Sequence, residues 1–300
     1  MSGDALSQDP SELRRGIDSG KAHPARVYDV FLGGKDHYEA DLAAAAAALA
    51  ANPRGYLDVR HNRDFLRRAV NTLAGKDGIR QFLDIGAGLP TAENVHQIAQ
   101  RITPASRVVY VDNDPVVLAH ARALLDSGPE GRTDYIDADL NDPALILEQA
   151  AAALDFDQPI ALCLVAVLHF VEDEQAYPIV RELVEALPTG SRVVLSHITE
   201  DLNPENVRAV QRTYTERGFT FVLRTRAEIE RFFTEHALGL DEPGVVPAHH
   251  WRPDHAAPAP EQPEAAYLEG LDPIERIRYA DIDDATDDDI NVYAATGTKK

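Results

Sequence analysis

The sequence is poor in cysteine and lacks any long apolar run. Its single cysteine, Cys163, cannot form a disulfide within the chain, and its apolar surroundings are typical of a core position in a reducing compartment. No stretch of about 18 apolar residues is present, so we expect no membrane span and no membrane partner. The first residues carry charge without an apolar segment behind them, which does not fit a secretory signal. These absences together predict a cytoplasmic protein.

Basic residues are also scarce, because 29 lysines and arginines stand against 50 aspartates and glutamates, for a formal net charge of −21. A surface of this sign repels phosphate backbones, so we disfavour nucleic acid as a substrate. Hydrophobic residues make up 44% of the chain, which is enough for a sizeable core. A length of 300 residues suits one large α/β domain with an attached helical piece, or two small domains.

The first quarter of the chain has the apolar spacing of helices. Three helices are predicted there, at residues 26–32, 39–51 and 62–73. A polar lead-in over residues 1–22 precedes them. We therefore predict that residues 1–78 form an N-terminal helical cap or lid.

From residue 79 onwards, short apolar runs alternate with helical patterns, which predicts a mostly parallel sheet with right-handed crossovers. Residues 79–300 are therefore predicted to form a doubly wound, Rossmann-like α/β domain with a seven-stranded sheet. The predicted strands are residues 81–85, 107–111, 133–137, 159–170, 191–197, 239–246 and 291–296. Helices are predicted at residues 91–101, 115–125, 143–153, 174–187, from Asn203-Pro204 onwards and from Thr225 to Phe233.

Residues 254–289 differ from the rest of this domain, because they contain four prolines and twelve acidic residues. Such composition is typical of solvated surface. We interpret the segment as an acidic excursion between the last two strands, with one short helix near residues 273–279.

The first predicted strand runs into the turn Gly86-Ala87-Gly88, and a helix follows. Glycines let a ligand approach the backbone at the carboxyl end of a strand, and the N–H groups of the next helix favour an anion there. A dinucleotide site needs a third glycine, but Thr91 occupies that position. The Asp84 carboxylate would repel a pyrophosphate and attract the ammonium and sulfonium groups of S-adenosylmethionine. The turn therefore favours S-adenosylmethionine over NAD as the cofactor.

Acidic residues also follow the second and third predicted strands. Asp112 stands 24 residues after Gly88, where a carboxylate can accept hydrogen bonds from ribose hydroxyls. Asp139 is our choice to accept from the adenine amino group, with Asp137 as the alternative. Three acidic positions after three successive strands are more specific than any one of them. The predicted cofactor site also includes the neighbours Ala87, Asn113 and Leu140.

The sequence resembles class I S-adenosylmethionine-dependent methyltransferases over residues 81–300. More narrowly, the whole chain resembles an actinobacterial family once described as a domain of unknown function and now called S-adenosyl methyltransferase. The resemblance is carried by Ala25-Arg26-Val27-Tyr28-Asp29, Leu32-Gly33-Gly34-Lys35-Asp36, Asn62-Arg63 with Phe65-Leu66-Arg67-Arg68, Asp84-Ile85-Gly86-Ala87-Gly88-Leu89-Pro90-Thr91, Val165-Ala166-Val167-Leu168-His169-Phe170 and His250-Trp251-Arg252-Pro253.

The resemblance implies a methyltransferase in which Asp84, Gly86 and Gly88 hold the methionine part of the cofactor. It places the ribose at Asp112 and the adenine at Asp139. The physiological substrates of the family are largely unassigned, so the expected acceptor is a small molecule of unknown identity. The acidic excursion at 254–289 is longer than the resemblance leads us to expect.

Direct methyl transfer requires a positioned acceptor and exclusion of water, and it needs a base only where the acceptor loses a proton. His169 follows the fourth predicted strand and is the predicted base or acceptor-positioning group, with a purely local structural role as the alternative. His197 is a weaker candidate of the same kind, and His249-His250-Trp251 is a candidate wall of the acceptor pocket. The histidine spacing matches no standard zinc site, so no metal is predicted.

The N-terminal segment offers candidates for a lid over the cofactor. Tyr28, Lys35, Asp36 and Arg63 are predicted to contact the carboxylate or ribose of the cofactor, and a helix-end turn with solvated charges is the alternative. Two other functions stay open at this point. One is a non-catalytic sensor or scaffold that binds S-adenosylmethionine, because no clear base is evident; the less favoured one is an NAD-dependent oxidoreductase.

Overall fold

A computed structural model describes residues 18–90, 93–124, 130–254 and 263–300. The predictions for residues 1–17, for Thr91 and for the part of the acidic excursion at 255–262 lie outside the described residues. Within the described ranges, no helix is both long enough and apolar enough to cross a membrane.

A mixed sheet forms the centre of the fold, and its spatial order is β3-β2-β1-β4-β5-β8-β6 with β7 paired to β8. The strands are β1 Gln81–Ile85, β2 Arg107–Asp112, β3 Arg132–Asp137, β4 Ala161–Val165, β5 Arg192–Ile198, β6 Leu238–Leu240, β7 Val246–Pro247 and β8 Val292–Lys299. Strands β1 to β5 pair in parallel, whereas β8 is antiparallel to β5, β6 and β7. The predicted doubly wound, mostly parallel sheet is therefore confirmed.

The order of strands reverses between β1 and β4. From β1 the chain moves outward to β2 and β3, and β4 then returns to the other side of β1. Such a reversal leaves a crevice beyond the carboxyl ends of the two central strands, where open α/β sheets bind their ligands. Cys163 is buried in β4, which confirms its predicted core position.

Eleven helices surround the sheet in the residues that the structure describes. They are α1 Pro24–Leu32, α2 Glu39–Ala51, α3 Gly55–Gly75, α4 Val95–Ile102, α5 Pro115–Leu124, α6 Pro143–Ala150, α7 Asp173–Ala186, α8 Pro204–Thr215, α9 Arg226–Thr234, α10 Ala265–Glu269 and α11 Pro273–Arg276. Short 3-10 helices lie at Leu168–Phe170, Ala248–His250, Ile277–Tyr279 and Asp287–Asp289.

Two helix starts follow their sequence signals closely. Thr225 forms a capping box before α9, because the Glu228 carboxylate accepts a hydrogen bond from the Thr225 N–H at 2.8 Å. Asn203 caps α8 with its side chain, and Pro204 occupies the first turn, where its missing N–H costs nothing. Both predicted starts are confirmed.

Two predicted strands are shorter than expected. The strand predicted at 159–170 ends at Val165, because Ala166 takes a left-handed conformation with φ 55° and the chain turns. The strand predicted at 239–246 is divided into β6 and β7 by a turn at Gly244, where φ is 87°. The described sheet therefore has eight strands where seven were predicted.

Two predicted helices also have different starts. The helix predicted at 62–73 begins at Gly55, because polar residues such as Asp58 and Asn62 are buried on its inner face and hide its apolar pattern. The helix predicted at 91–101 begins at Val95, where the Gln97 carboxamide accepts a hydrogen bond from the Asn94 N–H at 2.8 Å.

The N-terminal helices pack on one face of the sheet and are held from outside by residues 263–289, which we call the strap. Phe65 of α3 shares a core cluster with Phe82 of β1 and with Trp251. Ile277 of the strap packs into the apolar cluster formed by α1 and α2. The Arg60 guanidinium donates to the Ala280 carbonyl at 3.0 Å, so the strap is bound to α3 as well.

Trp251→Ala is expected to lower the free energy of unfolding by about 3–5 kcal/mol, because it would open a large cavity in the core. The Trp251 side chain is fully buried and meets the Phe65 ring edge-on at 5.1 Å between ring centroids. The measurement is a urea unfolding curve. Tyr267→Ala is the control, since Tyr267 is 54% exposed and its loss should change stability by less than about 0.5 kcal/mol. Similar losses in both variants would contradict the core role of Trp251.

Candidate functional site

A cavity of about 440 Å³ lies at the carboxyl ends of β1, β2 and β4. Its lining combines the segments that follow these strands with residues of α1, α3 and α8. The volume falls in the range of small-molecule sites. The cavity thus occupies the crevice that the strand order creates.

The glycine turn brings backbone against this cavity. Gly86 and Gly88 both have left-handed backbone, with φ 74° and φ 66°. A Cβ atom at position 86 would lie 2.6 Å from Val167 Cγ2, so the turn and the segment after β4 approach too closely for a side chain. Gly86, Ala87 and Gly88 line the cavity, as predicted.

The N-terminus of the next helix does not line the cavity, although the sequence predicts an anion site there. Helix α4 begins at Val95, and none of its residues lines the cavity. The N–H groups of Gly86 and Ala87 already donate to the Val111 carbonyl, at 2.8 and 3.2 Å. The positive group on this side of the cavity is instead the guanidinium of Arg63, which donates to Asn94 Oδ1 at 3.0 Å.

Asp84 is a buried carboxyl group beside the turn, with 4% of its surface exposed. Burial raises the pKa of Asp84 to about 7, the Arg63 guanidinium opposes that rise, and Asp112 adds to it. A cationic ligand group would stabilise the charged form of this carboxyl.

Asp112 lines the cavity at the end of β2. Its Oδ2 accepts a hydrogen bond from the Gly88 N–H at 2.8 Å, and its Oδ1 accepts one from the Asp114 N–H at 3.0 Å. Each carboxylate oxygen has a second lone pair, so the group can still accept from ribose hydroxyls. Burial raises the pKa of Asp112 although these two N–H groups act to lower it.

Of the two residues predicted to contact the adenine after β3, only Asp139 lines the cavity. Asp139, Leu140 and Asn113 line the cavity, whereas Asp137 does not. The Asp139 carboxylate accepts from Asn113 Nδ2 at 3.0 Å and from the Asn141 N–H at 2.8 Å. Burial acts to raise the pKa of Asp139, but the hydrogen bonds from Asn141 and Asn113 bring it below its usual value.

The four lid candidates separate into two pairs. Tyr28 and Arg63 line the cavity, whereas Lys35 and Asp36 lie outside its lining. The Asp36 N–H instead donates to Asp29 Oδ2 at 3.1 Å, and Asp36 Oδ2 lies 3.7 Å from His120 Nδ1. Lys35 is exposed, and neither of these two charges reaches the cavity lining in the described structure.

Tyr28 belongs to a chain of hydrogen bonds that ends at an unpaired atom. Its hydroxyl donates to the Val59 carbonyl at 3.0 Å and accepts from Asn62 Nδ2 at 2.8 Å. Asn62 lines the cavity and is 1% exposed, yet its Oδ1 has no partner among the described residues. A buried carbonyl oxygen of this kind is stabilised by a ligand that donates a hydrogen bond.

His169 lines the cavity from the 3-10 helix Leu168–Phe170, as predicted. It is 7% exposed, and its Nδ1 has no partner among the described residues. Burial and, to a smaller degree, the Arg224 charge lower the pKa of His169 to about 3. The imidazole is therefore neutral near pH ~7 and suited to hydrogen bonding more than to taking up a proton.

His197 has a structural role in the same region and does not line the cavity. Its Nε2 accepts a hydrogen bond from the Arg224 guanidinium at 2.6 Å. Arg224, which is 1% exposed, also donates to the Leu168 and Val171 carbonyls, at 2.8 Å each. These bonds hold the segment that carries His169.

His249, His250 and Trp251 do not line the acceptor side of the cavity, contrary to expectation. Trp251 is in the core, and both imidazoles face Asp287 Oδ1 of the strap, at 2.9 Å from His249 Nε2 and 2.6 Å from His250 Nε2. Hydrogen bonding to a strap carboxylate explains their position.

Sequence reasoning missed two cavity residues on α3, Asp58 and Asn62. Six residues of this helix line the cavity, at positions 55, 58, 59, 62, 63 and 66. Their spacing of three and four residues marks a single helix face. Polar side chains at 58 and 62 on that face were the available signal, because a buried helix stripe is otherwise apolar.

The family model that matches this chain is described as S-adenosyl methyltransferase and covers residues 10–299. A DUF574 family protein from Streptomyces avermitilis is 45% identical with a TM-score of 0.82, covering 94% of this chain and 99% of that chain. A provisionally assigned methyltransferase from Thermobifida fusca is 36% identical with a TM-score of 0.79, covering 98% and 99%. None of the curated proteins that were compared matches the chain.

Gly86→Ala is expected to destabilise the protein more than Gly88→Ala. Both place alanine in left-handed backbone, which costs about 1–2 kcal/mol, but only position 86 adds a contact of 2.6 Å with Val167, and position 88 has open space. Urea unfolding should show a loss of about 1 kcal/mol for Gly88→Ala and at least about 2 kcal/mol for Gly86→Ala. Equal losses would show that Val167 moves aside without cost.

Proposed function

The chain belongs to the S-adenosyl methyltransferase family, and we propose that it transfers a methyl group to a small molecule bound in the cavity described above. It is an S-adenosylmethionine-dependent methyltransferase, and S-adenosylmethionine is its cofactor. The observation that carries the proposal is the continuity of one cavity from the glycine turn to His169.

The residues of the cavity fit this cofactor. Asp84 and the unpaired Asn62 Oδ1 suit the ammonium group, because both accept hydrogen bonds and both are buried. Arg63 supplies the positive charge for the carboxylate. Asp112 would hold the ribose, and Asp139 with Leu140 would hold the adenine, as the sequence predicts.

When bound, S-adenosylmethionine supplies a methyl group on a sulfonium centre, which is open to in-line displacement. The chain contributes by orienting the acceptor and by excluding water. His169 would position the acceptor by a hydrogen bond from its neutral imidazole, and the segment that carries it is fixed by Arg224. Helices α1, α3 and α8 close the other sides.

A small molecule suits this site better than a macromolecule. The acceptor must enter a cavity of about 440 Å³ shared with the cofactor. The net charge of −21 opposes nucleic acid, whose phosphates would have to approach the acidic surface. The proposal therefore disfavours nucleic acid as the acceptor.

Incubation with methyl-labelled S-adenosylmethionine and the small-molecule fraction of a cell extract tests the proposal. We expect label in a low-mass product, and His169→Ala should slow this transfer while binding the cofactor normally. Label found only in nucleic acid or protein of a complete extract would contradict a small-molecule acceptor. Tight cofactor binding with no transfer in either extract would favour the sensor or scaffold instead.

Asp112→Ala should weaken the binding of S-adenosylmethionine by roughly 10–100-fold, because it removes charge-assisted hydrogen bonds worth about 1.5–3 kcal/mol. Asp137→Ala is the matched control at the end of the neighbouring strand, outside the cavity lining, and it should bind as the unchanged protein does. Calorimetry measures both, and a titration with NAD should show no comparable binding. Equal dissociation constants for the two variants would contradict the ribose role of Asp112.

A further inference from the structure

The part of the cavity beyond the cofactor residues has an aromatic wall, formed by Phe170, Tyr214, Phe219 and Phe221. The rings of Tyr214 and Phe221 lie 4.7 Å apart between centroids, and those of Phe170 and Phe221 lie 5.8 Å apart. Rings at such distances offer edges and faces against which another aromatic ring packs favourably. The wall therefore suits a flat, apolar guest.

A second buried carboxyl group, Asp58, lines the same cavity from α3. It is 7% exposed, and it accepts hydrogen bonds from the Asn291 N–H at 2.5 Å and from Asn291 Nδ2 at 3.3 Å. Burial raises the pKa of Asp58 to about 7, Asn291 opposes that rise, and Asp289 adds to it. Asp58 thus changes its charge near neutral pH, unlike an ordinary surface aspartate.

The charged groups around Asp58 do not neutralise it. Asp289 of the strap is paired with Arg54 at 2.7 Å, and Tyr28 of α1 is bonded to Val59 and Asn62. His61 and Arg63 are the nearby titratable groups of its own helix, and His169 faces the cavity from the 3-10 helix after β4. No lysine or arginine in the described chain forms an ion pair with Asp58.

We propose that Asp58 is the catalytic base for an acceptor that is an uncharged aromatic hydroxyl compound, bound with its ring against the aromatic wall. This inference rests on the proposed function, and it names both a substrate class and the group that takes its proton. His169 supplies the second hydrogen bond that orients the hydroxyl.

The chemical step balances without any further reactant. The acceptor oxygen forms a bond to the methyl carbon while the bond from that carbon to sulfur breaks, and its electron pair stays on sulfur. The hydroxyl proton passes to the Asp58 carboxylate. The products are an aryl methyl ether, a neutral thioether and protonated Asp58, which afterwards loses its proton to water.

Other acceptor classes fit the lining less well. A carboxylate acceptor would meet Asp58 and Asp84, while Arg63, the one lining residue with a permanent positive charge in the described chain, lies beside Asp84. An aromatic amine is uncharged at neutral pH, carries a lone pair and needs no base to react, whereas a phenolic oxygen gains its nucleophilicity by losing a proton. A buried carboxyl group therefore serves a hydroxyl acceptor best.

The first test compares three probes that share one ring system: 1-naphthol, 1-naphthoate and 1-naphthylamine, whose amine is uncharged at neutral pH. Ligand-observed NMR on the full chain, with and without S-adenosylhomocysteine, reports binding independently of turnover. We expect 1-naphthol to bind and 1-naphthoate to show no binding. Preferential binding of the naphthoate or the amine, or no binding of 1-naphthol, would overturn the substrate class.

The second test measures methylation of 1-naphthol against pH in the unchanged protein, in Asp58→Asn and in Asp241→Asn. Because the base must be ionised, the rate should rise as pH increases through about 7 and then level off. Asp58→Asn should lower the rate at neutral pH by roughly 100-fold or more. Its remaining rate should follow ionisation of the naphthol itself, which, like tyrosine, titrates near pH ~10.

Asp241→Asn is the matched control, because the Asp241 carboxylate bonds Thr296 and Thr298 outside the cavity. Thermal unfolding checks that each variant folds. Asn291→Ala is the second variant: it removes one hydrogen bond that lowers the pKa of Asp58, so the rise in rate should shift to higher pH. An unchanged pH profile in both Asp58→Asn and Asn291→Ala would overturn the assignment of Asp58.

The outcomes separate this inference from the function on which it rests. Cofactor binding with methylation of a different class in the extract would leave the proposed function standing and reject the aromatic hydroxyl acceptor. Absence of cofactor binding, measured by calorimetry, would reject both.

Discussion

Burial of carboxyl groups around one cavity is the physical constraint on which this site depends. Asp58, Asp84 and Asp112 all line it, all are less than a tenth exposed, and burial raises the pKa of each. Arg63 is the one permanent cation of the described lining. Removing such groups from water is costly unless hydrogen bonds or a cation compensate them. A sulfonium and an ammonium group would provide that compensation in the cofactor position proposed above.

The sequence predicted those site residues that depend on strand order alone. Because parallel strands end at one edge of a sheet, Asp84, Asp112 and Asp139 had to meet once the strands were identified. Asp58 depends on how α3 lies across the sheet; its polar position marks a helix face, but the local pattern does not say that this face meets the cavity. Lys35 belongs to a segment that carries the family resemblance, but it lies in a turn where its side chain is exposed to solvent. Local periodicity thus predicts the sheet edge, whereas the packing of α3 and the strap requires the tertiary structure.

The predicted end of the fourth strand was wrong because a single residue ends the pattern. Val165 is followed by Ala166 in left-handed backbone. The apolar run predicted as one long strand is therefore divided into β4 and the 3-10 helix Leu168–Phe170. After this break His169 lines the cavity. Arg224 then fixes the turned segment through two backbone carbonyls. A buried arginine far along the chain therefore holds the segment that carries His169.

The strap has a consequence for how this protein can vary. Arg278 of the strap donates from its Nε to the carbonyl of Gly33, just after α1, at 3.1 Å, and Arg60 of α3 donates to the Ala280 carbonyl of the strap at 3.0 Å. None of the strap residues lines the cavity. Because α1 and α3 both line the cavity, the strap supports two of its walls from outside. Substitutions or insertions in the strap can therefore change the dissociation rate of a ligand without altering any residue that contacts the ligand.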